Sequence, residues 1–214
     1  MNGADTGITA EELRLAVFGL NFHKGLDRLE AAYGAACARP SEMIVDARRR
    51  AERLTADWDL INDLDVEDQD SLVDDADGLD MSMDAGIASL ALVREAFLIS
   101  LFHYWERQMR DFGGAAVCDK DGCYRHDRAV GFCKRLGFRV LPEELAVLKY
   151  AAEVAKHSLG PSALKLLDLR PGCFVAGTTV GNVHYDRLMI VPYHVELAFL
   201  VVRVSGPPRG LLQL

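Results

Sequence analysis

The sequence predicts a mainly α-helical protein whose helices form an up-and-down bundle. Apolar residues recur three and four positions apart over most of the chain, which is the spacing of amphipathic helices. A β-favouring composition occurs only in the short stretch Phe174–His184, and neither an internal repeat nor a strand-helix alternation is present. With 214 residues, half of them hydrophobic, the chain is long enough to bury a substantial core.

The N-terminal region is predicted to form an antiparallel pair of helices. Thr9 and Glu12 have the spacing of a capping box, so a first helix is expected from about residue 10 to residue 36. Pro40 predicts a break, because proline lacks the backbone N–H that a helix interior needs. Ser41 then suits the N-cap of a second helix that runs to about residue 64.

An acidic window follows these two helices. Between Asp57 and Asp84 the chain carries 12 of its 32 acidic residues and no Lys or Arg. Such a charge run is typical of a solvated flexible loop, expected here over residues 65–84, although it could also mask a basic site. The rest of the chain has 24 basic against 20 acidic residues, so the net charge of −8 does not exclude a surface that faces RNA.

Residues 85–214 are predicted to form the helical bundle itself. A central helix is expected from Ala85 to Phe112, ended by two consecutive glycines and followed by a loop. Further helices are expected at about 126–136, 142–158, 162–167 and 193–204. The predicted domains are therefore the N-terminal helical pair 1–64, the acidic loop 65–84 and the bundle 85–214, or one continuous domain 1–214.

The chain is expected to be cytoplasmic, without a membrane span. The apolar stretch Ile87–Trp105 contains Arg94, Glu95 and His103, which are costly in hydrocarbon, so a buried helix of a soluble protein fits it better. The first residues lack the basic and apolar regions of a signal peptide. Five cysteines, an odd number, favour reduced thiols over a disulfide framework.

Two helices carry their ionisable residues on one arc. At about 100° per residue, the polar residues of Leu145–His157 fall within roughly 100° of one another, opposite an apolar face. These residues are Lys149, Glu153, Lys156 and His157. The polar arc of the central helix contains Ser100, His103, Glu106, Arg107 and Arg110. If the two helices pack antiparallel, both arcs would line one cleft.

The combined inventory of a carboxylate, two histidines and several cations suits phosphodiester cleavage without a metal. A general base would take the ribose 2′-OH proton, cations would stabilise the phosphate charge, and a general acid would protonate the leaving oxygen. The competing interpretation is structural. Each arc would be a solvated helix face, His103 a half-buried packing residue, and Glu106 with Arg107 a surface charge pair.

Two other interpretations remain open from the sequence. Cys118, Cys123, His126 and Cys133 could supply four zinc ligands, but their spacing is not that of a common finger or ribbon, and neither a metal nor a cofactor is expected. A helical pocket for a small apolar or anionic ligand could be lined by aromatic residues, namely Phe97, Phe102, Trp105 and Tyr150. No P-loop, dinucleotide fingerprint, HExxH or GxSxG element is present.

Four segments together resemble a known family. FLISLFHYWERQMRDF (Phe97–Phe112), AVLKYAAEVAKHS, SALKLLDLRPGCF (Ser162–Phe174) and VPYHVELAF (Val191–Phe199) are similar to bacterial HEPN proteins. These proteins are four- to five-helix bundles of toxin–antitoxin, abortive-infection and antiviral defence systems. The resemblance covers residues from about 85 to 204. It implies a HEPN-like bundle, and active members of the family cut RNA without metal, as dimers.

The resemblance assigns roles to individual residues. Family members carry an Arg, four to six variable residues and then a His; here His157 takes the histidine place and Lys149 lies near the arginine place, while Glu153 stands where relatives have Asn. Lysine lacks the bidentate fork of arginine, and Glu153 adds negative charge beside the RNA phosphate.

The sequence therefore favours a metal-independent endoribonuclease, or its degenerate relative, of a bacterial defence or stress system. His157 would be the general acid or base, with His103 and Glu106 as further catalytic candidates. The substrate-binding candidates are Lys149, Lys156, Arg107 and Glu153. The alternative is a non-catalytic HEPN-like interaction or regulatory module, antitoxin-like or a sensor. RNA, a second copy of the chain and a cognate protein are the expected partners.

Overall fold

A computed structural model describes residues 9–56, 66–157 and 160–209, and six α-helices account for most of them. The helices are α1 (Ala10–Ala56), α2 (Val66–Gly113), α3 (His126–Arg135), α4 (Pro142–His157), α5 (Pro161–Leu169) and α6 (Pro192–Val204). Short 3₁₀ turns lie at Gly114–Val117, Pro171–Cys173 and Tyr185–Arg187. In these ranges β structure is limited to two isolated bridges, Cys118 with Tyr124 and Phe174 with Leu188. The predicted mainly α-helical class is thus confirmed.

The predicted break at Pro40 is wrong, because α1 continues through this proline for 47 residues. An interior proline costs about 3 kcal/mol, so neighbouring contacts must offset that cost. Pro40 lies where α1 and α2 approach closely. A Cβ atom built on Gly86 would stand 2.7 Å from Cγ1 of Ile44 and 3.1 Å from the carbonyl oxygen of Pro40. The expected pair of helices 10–36 and 41–64 is therefore replaced by one helix, with residues 57–64 outside the described part.

The expected flexible loop over residues 65–84 is also wrong, since residues 66–84 form the start of α2, and residue 65 lies outside the described part. This acidic stretch runs beside the later part of α1 in the opposite direction. Residues of both helices line a groove of about 560 Å³. Arg39, Arg50 and Arg53 of α1 and Asp74 and Asp75 of α2 face the same groove. Side chains of opposite charge on the two helices therefore border one groove.

The chain divides into two compact units, and both long helices pass through the division. One unit comprises Ala31–Arg94 and contains the α1 and α2 segments just described. The other comprises Met1–Glu30 with Glu95–Leu214 and therefore includes the second half of α2 and all later helices. The candidate site residues lie entirely in this second unit.

The core of the second unit is built around the later part of α2. Trp105, Leu101 and Met109 are fully buried, and the indole Nε1 of Trp105 donates to the carbonyl oxygen of Ser205 at 3.3 Å. Fully buried partners come from the other helices: Phe22, Leu26, Leu145, Leu166, Val195, Val201 and Val202. Tyr104 donates its hydroxyl to the carbonyl oxygen of Phe22 at 2.6 Å, which fixes α1 against α2.

The apolar stretch 87–105 is less buried than expected. Ile87 is 51% and Leu92 63% exposed, whereas Leu98 and Leu101 are buried, so the prediction of a buried helix holds for its second half. By length and composition, α2 could cross a membrane, and 22% of its most apolar window is buried in the protein.

The residues after α6 return across α1. The His23 Nε2–H donates to the carbonyl oxygen of Pro207 at 2.7 Å, and both groups are buried. Asp27 accepts hydrogen bonds from Arg203 at 2.7 Å and from Arg209 at 2.6 Å. These contacts join α1 to α6 and to the segment that follows it, within the second unit.

Candidate functional site

The residues with acid–base chemistry meet in a cleft of about 280 Å³ between α2, the start of α3 and α4. We call it the histidine cleft. It is lined by Phe102, His103, Glu106, Tyr124, His126, Lys149, Ala152, Glu153, Lys156 and His157. Six of the seven site candidates chosen from the sequence therefore lie in one place, because the polar arcs of α2 and α4 face each other.

The α2 wall of the histidine cleft is organised by Glu106. Its Oε2 lies 3.1 Å from Nδ1 of His103, and its Oε1 accepts a hydrogen bond from Nη2 of Arg110 at 3.4 Å. These partners are three and four residues away on the helix, the spacing at which side chains meet. The Arg110 guanidinium also lies over the ring of Tyr124, 5.3 Å from its centroid. Glu106 is thus positioned to orient the His103 imidazole.

The α4 wall contains a second carboxylate with its own partners. Lys149 Nζ lies 3.9 Å from Oε1 of Glu153, and Ser162 of α5 donates its hydroxyl to Oε2 of the same side chain. Lys156 and His157 are exposed in the last turn of α4, where the helix dipole favours positive charge. Within the described ranges neither makes an ion pair or a side-chain hydrogen bond.

Tyr124 and His126 reach the cleft through the connection after α2. Gly114 begins a reversal with φ of +52°, a conformation that favours glycine, and the Cys118–Tyr124 bridge completes it. The ring of His126 lies against the core, 5.5 Å from the ring of Trp105 between centroids. The Tyr124 hydroxyl oxygen and the His126 Nδ1 are both buried and have no hydrogen-bond partner in the part of the chain described.

Burial sets the charge state of these two side chains. Desolvation lowers the pKa of His126 below its ordinary value, and the nearby Lys149 ammonium lowers it further; Asp127, Glu106 and Glu153 oppose this. Burial also raises the pKa of Tyr124 well above its ordinary value. At neutral pH the histidine cleft therefore contains a neutral imidazole and a protonated phenol.

Arg107, the seventh candidate, does not line the histidine cleft. It lies on the other side of α2, in a depression of about 430 Å³ that also contains Leu29, Ser100, Tyr104 and Arg110. His103 and Glu106 border both spaces. The expectation that Arg107 shares the cleft is wrong, because one residue along a helix turns its side chain by about 100°.

The zinc arrangement is not formed. Across residues 9–56, 66–157 and 160–209, no group of three or more His, Cys, Asp or Glu side chains is placed to hold a metal ion. Cys133 instead lies in the core, its Sγ 3.1 Å from Sδ of Met109, and burial raises the pKa of this thiol to about 12. It is therefore a protonated thiol that packs as an apolar group.

The aromatic candidates for a ligand pocket have different environments. Trp105 is fully buried in the core, and Phe102 forms part of the floor of the histidine cleft. The Tyr150 ring lies under two lysines, 5.5 Å from Lys149 Nζ and 5.2 Å from Lys165 Nζ. These rings do not point to a shared aromatic pocket.

Sequence reasoning missed Tyr124 and considered His126 only as a zinc ligand. Tyr124 precedes α3 and His126 is its first residue, so neither belongs to the polar arcs of α2 and α4. The loop reversal that brings them to α4 has no spacing signature in the sequence.

No protein-family model, no curated protein and no solved structure matches this chain. Function is therefore inferred from the histidine cleft itself.

Proposed function

We propose that the histidine cleft is the site of a HEPN-like, metal-independent endoribonuclease that belongs to a bacterial defence or stress system. The observation that supports this proposal is the meeting of His103, Glu106, Lys149, Lys156 and His157 in one cleft. Imidazoles supply acid–base catalysis near neutral pH, and ammonium groups balance phosphate charge. The cleft has a volume of about 280 Å³, slightly below the usual range for small-molecule sites, so it would hold only a small part of an RNA strand.

In this proposal, cleavage proceeds by transfer to the 2′-oxygen. One imidazole takes the ribose 2′-OH proton, the 2′-oxygen bonds to phosphorus, and the bond from phosphorus to the 5′-oxygen breaks. A second, protonated imidazole gives its proton to that leaving oxygen, so the products are a 2′,3′-cyclic phosphate and a 5′-hydroxyl. His157 is one of the pair and His103 is the other, with Glu106 holding His103 in orientation.

The two lysines act on the phosphate. Lys149 and Lys156 balance the charge that develops on the non-bridging oxygens. Glu153 limits their effect, because it lies 3.9 Å from Lys149 and contributes negative charge of its own. The protein would be cytoplasmic and, as the family resemblance implies, would act as a homodimer; a cognate protein partner would control it.

The test is cleavage of a mixed single-stranded RNA pool in EDTA. We expect the wild-type protein to cut and His157→Ala to lose activity by about 10²- to 10⁴-fold, the range that general acid–base groups contribute. His184→Ala is the matched control, since His184 is also exposed but lies outside the histidine cleft. Products should carry 2′,3′-cyclic phosphates. A folded wild-type protein that leaves the pool intact would rule out the nuclease.

The charge balance of the cleft favours a second candidate, a non-catalytic interaction or regulatory module. With neutral imidazoles, the charges of Lys149 and Lys156 are matched by those of Glu106 and Glu153. A cleft without net positive charge attracts a polyanion less than an arginine-lined one does. In this case the exposed end of α4 would bind a protein partner. Intact RNA and unchanged folding in the same assay would support this candidate.

A further inference from the structure

In the histidine cleft the hydrogen-bond acceptors have partners within the protein, whereas several donors do not. Both carboxylates have partners: Glu106 is held by His103 and Arg110, and Glu153 by Lys149 and Ser162. The acceptors of the cleft are thus largely occupied by the protein.

Several hydrogen-bond donors of the cleft have no acceptor within the described part of the protein. Tyr124 Oη and His126 Nδ1 are buried without a partner in the described residues; the hydroxyl can donate, and Nδ1 donates in the Nδ1–H tautomer of the neutral ring. Lys156 is exposed and makes no ion pair within those residues. Lys149 touches Glu153 at 3.9 Å, which is an ion pair but too long for a hydrogen bond, so its ammonium protons also remain available. A buried polar group that lacks a partner is costly, so a ligand that forms hydrogen bonds with these groups would be stabilised here.

The surplus of donors selects the chemistry of that ligand. It must offer several acceptor oxygens on one compact group, and negative charge, because Lys149 and Lys156 line the same cleft as the two neutral donors. A tetrahedral oxyanion meets both requirements, since hydrogen bonds to charged oxygens are about twice as strong as neutral ones. A neutral base edge would leave the Lys156 ammonium without a counter-charge and would add none to the single ion pair of Lys149 with Glu153.

We propose that Tyr124 and His126 form a phosphate-binding subsite of the histidine cleft together with Lys149. The inference rests on the proposed nuclease function and deepens it, by assigning the phosphate of the substrate to two residues outside the helical arcs. The Tyr124 hydroxyl and, in its Nδ1–H tautomer, the His126 ring each donate to a phosphate oxygen, while Lys149 supplies positive charge. Because both donor atoms are buried in the free protein, the side chains around them move aside when phosphate enters. His126 then binds as a neutral donor, in a setting that contains Lys156, His157 and Glu153 of α4, His103, Glu106 and Arg110 of α2, and Asp127 of α3.

The test is a titration of the full-length protein with inorganic phosphate, at constant ionic strength and neutral pH. Long-range proton–nitrogen NMR spectra report the histidine rings, and backbone amide shifts of α4 give the affinity of each variant. We expect the His126 ring signals to move and saturate at millimolar phosphate. Tyr124→Phe should weaken binding by about 10- to 100-fold, the value of one hydrogen bond to a charged group.

Substitutions at His126 separate hydrogen bonding from packing. His126→Phe keeps a ring against Trp105 but removes both nitrogens, so we expect saturable binding to be lost. His126→Asn places an amide donor close to the position of Nδ1 and should retain most of the affinity. Tyr193→Phe and His184→Phe are matched exposed controls and should bind as the wild type does.

Each result decides for or against the subsite. The absence of saturable shifts in the wild type, or equal affinity in Tyr124→Phe, His126→Phe and wild type, would overturn it. Wild-type protein that binds phosphate through these residues but cuts no RNA would support the subsite while refuting the nuclease. RNA cleavage that is unaffected by Tyr124→Phe and His126→Phe would support the nuclease and refute the subsite.

Discussion

Replacing Tyr124 by Phe should stabilise the ligand-free protein. The substitution removes one oxygen atom, and in the described structure that atom is buried without a partner. A buried hydroxyl without a hydrogen bond costs about 1–3 kcal/mol relative to water, and phenylalanine fills the same ring space. We expect the free energy of unfolding to rise by about 1 kcal/mol, while phosphate binding weakens.

Tyr104 provides the matched comparison. Its hydroxyl is also buried, but it donates to the carbonyl oxygen of Phe22 at 2.6 Å. Tyr104→Phe loses this bond, although the carbonyl can still accept a bond within its helix, so the expected loss is about 1 kcal/mol. Tyr193, which is 59% exposed, should show no change on substitution by Phe.

Urea denaturation of the three variants, followed by circular dichroism, measures these differences. The sign matters more than the size: Tyr124→Phe should raise the midpoint and Tyr104→Phe should lower it at an unchanged slope. If Tyr124→Phe lowers the midpoint as much as Tyr104→Phe does, the Tyr124 hydroxyl has a partner in the free protein. The donor would then not be available, and the reasoning behind the phosphate subsite would be refuted.

Two further predictions concern the fold around the site. Gly25→Ala should lower the free energy of unfolding by about 1–3 kcal/mol, because the new Cβ would meet the Tyr104 hydroxyl. Gly34→Ala on the same helix meets nothing and should raise the free energy of unfolding by about 1 kcal/mol. Urea midpoints of the two variants measure this difference, and equal effects would contradict the packing of α1 on α2. Burial lowers the pKa of His23 below its ordinary value of 6.5, so its contribution to stability is complete above that value and is lost as the pH falls through the lowered folded-state pKa. The urea midpoint of the wild type should therefore fall more between about pH 7 and pH 5 than that of His23→Gln, which keeps a donor for Pro207. Parallel pH profiles of the two proteins would show that His23 is not responsible.

The helical class of the fold could be predicted from the sequence because it depends on local patterns. The Thr9–Glu12 capping box forms as expected, with the backbone N–H of Thr9 donating to Glu12 Oε2 at 2.8 Å. Helices α3 to α6 lie within a few residues of their predicted positions. The polar arcs of α2 and α4 follow from helix geometry alone, so their residues could be named in advance, although their catalytic role is still a prediction.

Local signals failed where contacts distant in sequence supply more free energy than a residue's own preference. Pro40 should end a helix, yet packing against α2 carries α1 through it, and an acidic segment that resembles a loop is helical beside the arginines of α1. Composition indicates what a segment prefers when it is alone, and it contains no information about its neighbours.

The sequence by itself determined which residues have chemistry to offer, and the tertiary structure decided which of them meet. It brought Tyr124 and His126 into the histidine cleft and left Arg107 on the other side of α2. Those placements depend on a loop reversal at Gly114 and on the buried contacts of Trp105. Helical spacing follows from about 1.5 Å of rise and 100° of rotation per residue, but the approach of two elements depends on all the surfaces that they bury together.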